Sequence, residues 1–133
     1  MIEHAGVAKA RGFLDAFARG DEQAMRDYFT ADLAWHVAGS HPMSGDHRGL
    51  DGLMGYFGRL RAGTDGTFAL VPESILASDH HTALFTRATA RREARTLDVV
   101  LAHALTVRSD GLWREYWVCA DDQDAEDGFW SES

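Results

Sequence analysis

A histidine inside an apolar stretch is the residue of this sequence best suited to proton transfer. His103 lies in LDVVLAHALTV with the same parity as Leu101 and Leu105, so a strand there would direct its imidazole into the apolar interior. An imidazole has an ordinary pKa of about 6.5 and can act as a general acid or base near neutral pH. The same position also suits a core histidine whose nitrogens are satisfied by backbone groups or by a tyrosine hydroxyl. Both interpretations of His103 remain open.

A carboxylate that orients His103 would complete such a site, and three acids are candidates. Asp98 has the opposite strand parity from His103, and Asp121 follows the last predicted strand. Glu115 shares parity with Trp117, which places it either in the pocket or across a subunit interface. We predict Glu115 as the second catalytic residue, and the alternative is an exposed carboxylate paired with an arginine.

Other histidines of the sequence are predicted to lie at surfaces. His36 alternates with Trp35 and therefore faces the outside of the sheet. His41 and His47 flank a glycine-rich loop, and the pair at 80–81 falls in a turn, so we expect these side chains to be solvated. None of these spacings matches a zinc site on one element, and the sequence predicts no metal and no cofactor.

Aromatic side chains supply the walls of the candidate pocket. They offer a large contact area with few polar demands, which suits a flat or polycyclic hydrophobic molecule. The same side chains also serve to fill the core of a small domain, and this alternative stays open. The candidate substrate-binding residues of this kind are Trp35, Met54, Tyr56, Phe57, Phe68 and Trp117.

Length and charge restrict the function classes. A chain of 133 residues suffices for one domain with its own core, and we predict a single domain over residues 1–133. The net charge of −8 disfavours nucleic acid as a partner, and the sequence has no apolar run long enough to cross a membrane. The single Cys119 cannot form an internal disulfide, and the first residues do not have the order of a secretory signal. The cytoplasm is therefore the expected location.

Three helices are predicted in the first half of the chain. Apolar residues between 7 and 17 recur at three- and four-residue steps, and Gly20 is placed to end that helix. Asp21 caps a short second helix that extends to about Thr30. A third helix covers residues 50–61, where glycines recur every three residues. Because each internal glycine costs about 1 kcal/mol relative to alanine, we expect this stripe to serve close packing against a sheet.

The remainder of the chain is rich in strands. A period of two predicts a first strand from Leu33 to Val37, and residues 46–48 form a brief second one. Four further strands, near residues 67–77, 82–92, 94–108 and 112–119, predict an antiparallel meander. The acidic tail 121–133 is either a short helix against the body or a frayed end. The sequence thus predicts an α+β fold in which a curved antiparallel sheet packs against three N-terminal helices and encloses one ligand-sized pocket.

The order of these elements is similar to that of a known superfamily. The segment FLDAFARGDEQAMRDYFTADLAWHVAGSHPMSGDHRG, followed by HALTVRSDGLWREYW, resembles the nuclear transport factor 2-like superfamily, especially its SnoaL-like and ketosteroid isomerase-like branch. The resemblance covers Phe13 to Trp117 and implies a cone-shaped, cystatin-like α+β barrel. It also implies a homodimer formed through the outer face of the sheet. Members include isomerases, cyclases, dehydratases, epoxide hydrolases and binding modules, so the fold does not select a function.

Matching residue by residue narrows what the resemblance implies. The proton-abstracting Asp of ketosteroid isomerases matches Val37, and their first-helix oxyanion Tyr matches Phe13, so both positions become apolar candidates for substrate contact. Their second oxyanion donor, a protonated Asp, matches His103. SnoaL-like aldol cyclases also carry a His at this position, whereas their Asp matches Val118. His103 is the polar position that both comparisons retain.

Two functions follow from the sequence. The first is a cofactor-independent enzyme, such as a polyketide-type cyclase or isomerase, that acts on a hydrophobic small molecule through acid/base chemistry at His103. The second is a non-catalytic binding or dimerisation module of the same fold, which the apolar residues Phe13 and Val37 favour.

Overall fold

A computed structural model of the chain describes residues 3–131. Four helices and six strands follow one another in the order α1 (Ala5–Arg19), α2 (Glu22–Arg26), β1 (Phe29–Val37), β2 (Gly45–Arg48), α3 (Gly49–Gly63), β3 (Ala69–Ala77), β4 (His81–Arg92), β5 (Arg95–Val107), β6 (Trp113–Ala120) and α4 (Gln123–Trp130). The strands form one sheet in the order β2-β1-β6-β5-β4-β3, with α1 against β3 and α3 against β1. The predicted α+β class is confirmed.

The sheet is mixed rather than wholly antiparallel. The strands β3, β4, β5 and β6 pair antiparallel in sequence order, as the meander predicted, and β1 pairs antiparallel with β2. The exception is β1, which runs parallel to β6 and brings Trp35 opposite Tyr116. The first and last strands of the main sheet therefore meet at its centre, and this pairing positions the interior site.

The start of β1 differs from the prediction. Helix α2 ends at Arg26, and the chain is already extended at Phe29. The prediction that the second helix continues to Thr30 is wrong, because the tertiary pairing overrides the local helical spacing. The backbone N–H of Trp113 donates to the carbonyl of Tyr28, and Phe29 pairs with Trp113 on β6.

Capping residues set the ends of the first two helices as the sequence indicates. Gly20 ends α1 with φ of 67°, a left-handed conformation that glycine adopts without steric cost. The Asp21 side chain accepts a hydrogen bond from the backbone N–H of Ala24 at 3.1 Å and so caps α2.

The glycine stripe of α3 does not serve close packing. Gly52, Gly55 and Gly58 face solvent, and a Cβ at Gly58 would meet no atom within 4 Å. The buried face of α3 is formed instead by Leu53, Met54, Tyr56, Phe57 and Leu60. The expectation of a glycine-mediated contact is therefore wrong.

The acidic tail folds back as α4 within the described residues. Phe129 and Trp130 are buried, and the Arg92 guanidinium donates to the carbonyls of Phe129 at 3.0 Å and Ser131 at 2.8 Å. Asp122 caps the helix by accepting from the backbone N–H of Ala125. Of the predicted tail, residues 132–133 lie outside the part of the chain that the structure describes. Across residues 3–131, no helix combines the length and apolar character that membrane crossing requires.

Candidate functional site

Strand alternation places His103 on the inner face of β5. His103 is 4% exposed and lies between the buried Leu101 and Leu105. Thr86 on β4 pairs with Leu101, and Tyr116 on β6 pairs with Leu105, so both lie diagonally across from His103 on the same face. The Thr86 hydroxyl is 2.8 Å from Nε2 of the imidazole, and the Tyr116 hydroxyl is 2.7 Å from Nδ1. Both ring nitrogens are therefore hydrogen-bonded within the sheet.

Burial determines the charge state of His103. Burial, with no carboxylate beside the ring, lowers the pKa of His103 to about 3. A neutral imidazole has one N–H donor and one acceptor nitrogen, and two hydroxyls can satisfy either tautomer because each can donate or accept. His103 is thus a neutral group near pH 7.

Glu115 does not partner His103. The pairing of β5 with β6 shifts register between Thr106 and Val107, which leaves Arg114 as one extra residue on β6. As a result Trp113 and Tyr116 both face inward, while Glu115 faces outward. The prediction that Glu115 orients His103 is wrong, because the bulge reverses the parity on which it depended.

Trp35 lies against the Tyr116 ring and extends the polar cluster. The two rings stack with centroids 3.7 Å apart and planes 9° apart. The buried indole N–H of Trp35 lies near the Tyr56 hydroxyl, yet among the described residues it makes no hydrogen bond of normal geometry. Burial raises the pKa of both Tyr56 and Tyr116, so both phenols stay protonated. The interior thus holds neutral donors and acceptors inside an aromatic wall.

A small cavity adjoins His103. Its volume is about 20 Å³, which is room for roughly one water molecule and far below the ~300–1,000 Å³ of common ligand pockets. This cavity does not supply the enclosed, ligand-sized pocket that the sequence predicts, because aromatic side chains fill most of the space. The lining residues are Phe13, Phe17, Trp35, Tyr56, Phe57, Leu60, Phe68, Leu70, Leu101, His103 and Val118.

Most of the predicted substrate-binding residues reach this cavity. Phe13, Trp35, Tyr56, Phe57 and Phe68 line it. The other three predicted residues, Val37, Met54 and Trp117, do not line the cavity.

Val37 and Met54 are buried elsewhere in the core, and Trp117 lies on the outer face of the sheet with 43% of its surface exposed. The prediction for Trp117 fails for the same reason as that for Glu115, namely the bulge in β6.

Phe68 forms part of the cavity wall nearest to solvent. It is partly buried and precedes β3, after Asp65 and Gly66, which both have positive φ. A second depression of about 80 Å³ lies outside this wall and is lined in part by Arg61 and Gly66. The side chains of Phe17, Phe57, Leu60 and Phe68 line both spaces and so separate them.

His36 occupies the opposite face of the sheet, as its parity predicted. Its Nδ1 lies 2.6 Å from Asp46, its Nε2 lies 3.0 Å from Glu115, and its ring stacks on Trp117. The hydrogen bond to Asp46 is the main cause that raises the pKa of His36. Glu115 therefore pairs with a histidine at the surface rather than a catalytic one in the interior.

His41 is a buried residue that the sequence analysis missed. Its side chain is 1% exposed, its Nδ1 accepts from the backbone N–H of Met43, and its Nε2–H donates to Glu126 on α4 at 3.2 Å. The prediction that His41 is solvated is wrong, because α4 covers the glycine-rich loop. The neighbouring His47 is partly buried against the Tyr56 ring. An acidic, aromatic-ended tail was the available signal that the loop would be covered.

The described residues offer no evident metal centre. Within residues 3–131, no group of three or more His, Cys, Asp or Glu side chains has an arrangement that could hold a metal ion. The lining residues that carry polar side-chain atoms are His103, Trp35 and Tyr56, which suit an organic ligand better than a cation.

Comparisons with known proteins agree with this architecture. The model of the SnoaL-like domain family matches residues 10–116. The uncharacterized protein Rv0034 of Mycobacterium tuberculosis is 30% identical over 134 residues, covering 98% of this chain and all of the relative. Bal32a, from a soil-derived mobile gene cassette, has 29% identity and a TM-score of 0.89, covering 93% of this chain and 95% of its own.

A more distant structure carries a functional label. IdmH of Streptomyces antibioticus, described as a candidate polyketide cyclase, has 19% identity and a TM-score of 0.74, covering 94% of this chain and 99% of its own. Likeness at this identity concerns the fold. The family match, by contrast, spans most of the chain, including most of α1, the strands β1 to β5 and the His103–Tyr116 pair. The chain therefore belongs to the SnoaL-like domain family.

Proposed function

We propose that this chain binds a small, ring-containing hydrophobic molecule beside His103. The observation that carries the proposal is the wall of the His103 cavity, which is aromatic apart from a few aliphatic side chains and includes Trp35, whose indole N–H reaches the Tyr56 hydroxyl only outside normal hydrogen-bond geometry. A buried donor with a poor acceptor is costly, and a ligand carbonyl or hydroxyl would satisfy it better. Rings of the ligand would stack on the surrounding aromatic residues.

Uptake requires the cavity to widen. Phe68 is the suitable moving part because it is partly buried and separates the inner cavity from the outer depression. Rotation of its side chain would join the two spaces and open a route past Arg61 and Gly66. Side-chain rotation of this kind is compatible with an otherwise fixed backbone.

A matched pair of probes tests the binding proposal. We expect 1-tetralone, which carries a carbonyl, to bind more tightly than tetralin, which has the same rings without it. Calorimetric titration of Trp35→Phe should remove this preference, and Phe68→Ala should raise the affinity for both probes. Phe85→Ala, an exposed aromatic on the outer face, is the control and should change neither. Absence of binding by both probes at millimolar concentration contradicts the proposal.

A second candidate function is proton transfer without a cofactor, as in a polyketide-type cyclase or isomerase. The observation that favours it is the hydrogen-bonded series Thr86–His103–Tyr116. With a pKa of about 3, forming a protonated His103 at pH 7 would cost about 5 kcal/mol. A neutral relay avoids this cost: one nitrogen accepts a proton from the substrate, the other passes its proton to the bonded hydroxyl, and that hydroxyl returns its own proton to the substrate. The relay keeps catalysis chemically reasonable, and the low pKa makes simple binding the better supported function.

Hydrogen exchange separates the two candidates. A proton-transfer enzyme should exchange the hydrogens α to the carbonyl of 1-tetralone in D₂O, which ¹H NMR detects. His103→Gln and Tyr116→Phe should then reduce the exchange rate at least about tenfold, in the usual range for acid/base groups. Exchange no faster than in buffer eliminates the catalytic candidate and leaves the binding proposal intact.

We also propose that the outer face of the sheet joins two copies of the chain. Phe85 and Trp117 are 41% and 43% exposed there, and Leu76 lines the same apolar groove as Trp117. Two such faces would bury one another's aromatic side chains. Sedimentation of the wild type should give a dimer and that of Trp117→Asp a monomer, whereas a wild-type monomer contradicts the proposal.

A further inference from the structure

A second cleft lies at the end of α1 away from the His103 cavity. Its volume is about 430 Å³, within the ~300–1,000 Å³ range of ligand sites. The N-terminal turn of α1, the turn between β3 and β4 and the turn between β5 and β6 form its walls. The two cavities share no lining residue.

Lys9 gives this cleft a positive charge without a counter-ion. Its side chain is partly buried and donates to the carbonyl of Gly111 across the cleft. Among the described residues, no ion pair includes Lys9, although the chain as a whole carries a net charge of −8. A partly desolvated ammonium beside a single neutral acceptor favours an anion nearby.

Thr82 supplies a buried hydroxyl that lacks a partner. It lies on the inner face of β4, is 2% exposed and lines the cleft. In the described part of the chain its Oγ1 makes no hydrogen bond. Since buried polar atoms are nearly always satisfied, this hydroxyl indicates a group that the cleft is built to receive.

The start of α1 adds to the positive potential. A helix N-terminus carries a partial positive charge, and the first turn of α1 contains no acidic residue that would offset it. The other charged groups at the cleft are largely paired, because Arg108 contacts Asp110, and His4 contacts Asp79 at 2.8 Å. Of the two basic side chains Lys9 and Arg108 that line the cleft, Lys9 is therefore the one without an ion pair among the described residues.

Part of the cleft wall is apolar. Val107 and the Trp113 ring line it beside the polar groups. An inorganic ion would leave this surface without a partner, whereas an organic anion would cover it. The site thus combines one charged end with one apolar end.

We propose that this cleft binds a small organic anion, whose carboxylate or phosphate lies between Lys9, Thr82 and the start of α1. The apolar body of the ligand packs against Val107 and Trp113. Carboxylate and phosphate present the same acceptor oxygens to this site, and they differ in charge. The cleft is separate from the His103 cavity, so a ligand can occupy either one independently.

Calorimetric titration with three phenyl compounds tests the proposal. Benzoate and phenyl phosphate carry the two candidate anionic groups, and benzyl alcohol is the neutral control. Lys9→Met keeps the aliphatic stem and should weaken the binding of the anions about tenfold or more, as expected for a charged hydrogen bond. Tighter binding of phenyl phosphate than benzoate would identify phosphate as the preferred group, and the reverse order would identify carboxylate.

Two further variants separate binding from folding. Thr82→Val is nearly isosteric and removes a buried hydroxyl that, among the described residues, makes no hydrogen bond, so it should leave the thermal midpoint unchanged or raise it while weakening anion binding about threefold to tenfold. Arg11→Met, an exposed position on α1 that pairs with Glu3, should bind like the wild type. The proposal is overturned if neither anion binds at millimolar concentration, if Lys9→Met binds unchanged, or if benzyl alcohol binds as tightly as the anions.

Discussion

His36 and His103 lie on opposite faces of the same sheet and differ in nearly every chemical respect. His36 is partly exposed between the carboxylates of Asp46 and Glu115, which raise its pKa and favour the charged ring. His103 is enclosed between the hydroxyls of Thr86 and Tyr116, and burial lowers its pKa to about 3. Each ring has both nitrogens bonded.

The comparison shows that hydrogen-bond saturation does not determine the charge of a histidine. Carboxylates favour the imidazolium because they are charged acceptors, whereas hydroxyls accept a neutral tautomer equally well. Water around the partly exposed His36 ring favours its charged form, and the exclusion of water from the His103 ring favours its neutral form. An imidazole whose raised pKa favours the charged form suits the surface position of His36, and a neutral His103 suits contact with an uncharged ligand.

Removal of each side chain tests how much the two environments differ. His103→Ala leaves a void and two buried hydroxyls without partners, so we expect a loss of about 3–5 kcal/mol in the free energy of unfolding. His36→Ala breaks partly solvated ion pairs and should cost about 1 kcal/mol or less. Urea denaturation of both variants gives the two values. Equal losses would show that the hydroxyl contacts of His103 contribute little.

The fall in the free energy of unfolding as the pH decreases tests whether His103 is neutral in the folded protein. Its folded pKa of about 3 lies below the unfolded value of about 6.5, so the unfolded chain binds the extra proton between these limits. The stabilisation is complete above pH 6.5 and should have fallen by about 2 kcal/mol at pH 5. His103→Gln can still bond both hydroxyls but does not titrate, so its curve should lack this component. Parallel curves for the variant and the wild type would contradict the assignment.

The smallest effect on folding stability is expected from the titration of His36, on the outer face of the sheet. Its pKa is raised, so its stabilisation is present below about pH 6.5 and is lost as the pH rises through the folded value. Asp46→Asn should move the NMR titration midpoint of His36 back toward its ordinary value, and more than Glu115→Gln does, because Asp46 is the closer partner. Asp98→Asn, which alters the Arg87 pair on the same face, should leave that midpoint unchanged.

Residue patterns predicted the elements well where local and tertiary preferences agree. The alternation around His103 gave the correct inward face, and Gly20 and Asp21 marked helix ends correctly. Errors arose where a distant segment decides the conformation. The pairing with Trp113 extends the chain at Phe29, and α4 covers His41.

The partners of His103 lay beyond the reach of sequence reasoning for a related reason. Strict alternation placed Glu115 with Trp117 either in the pocket or across a subunit interface, and it did not single out Tyr116 as a partner. A single extra residue at Arg114 exchanges the two, and no local feature of the sequence marks that bulge. The true partner was therefore one position away from the predicted one.

The sequence by itself determined the α+β fold, the SnoaL-like resemblance and the inward position of His103, because these depend on periodicity and the order of elements. The tertiary structure decided that His103 is neutral, that hydroxyls rather than a carboxylate hold it, and that aromatic rings nearly fill the cavity. Charge state and free volume depend on atoms that are distant in the chain and close in space, and only the packed sheet brings those atoms together.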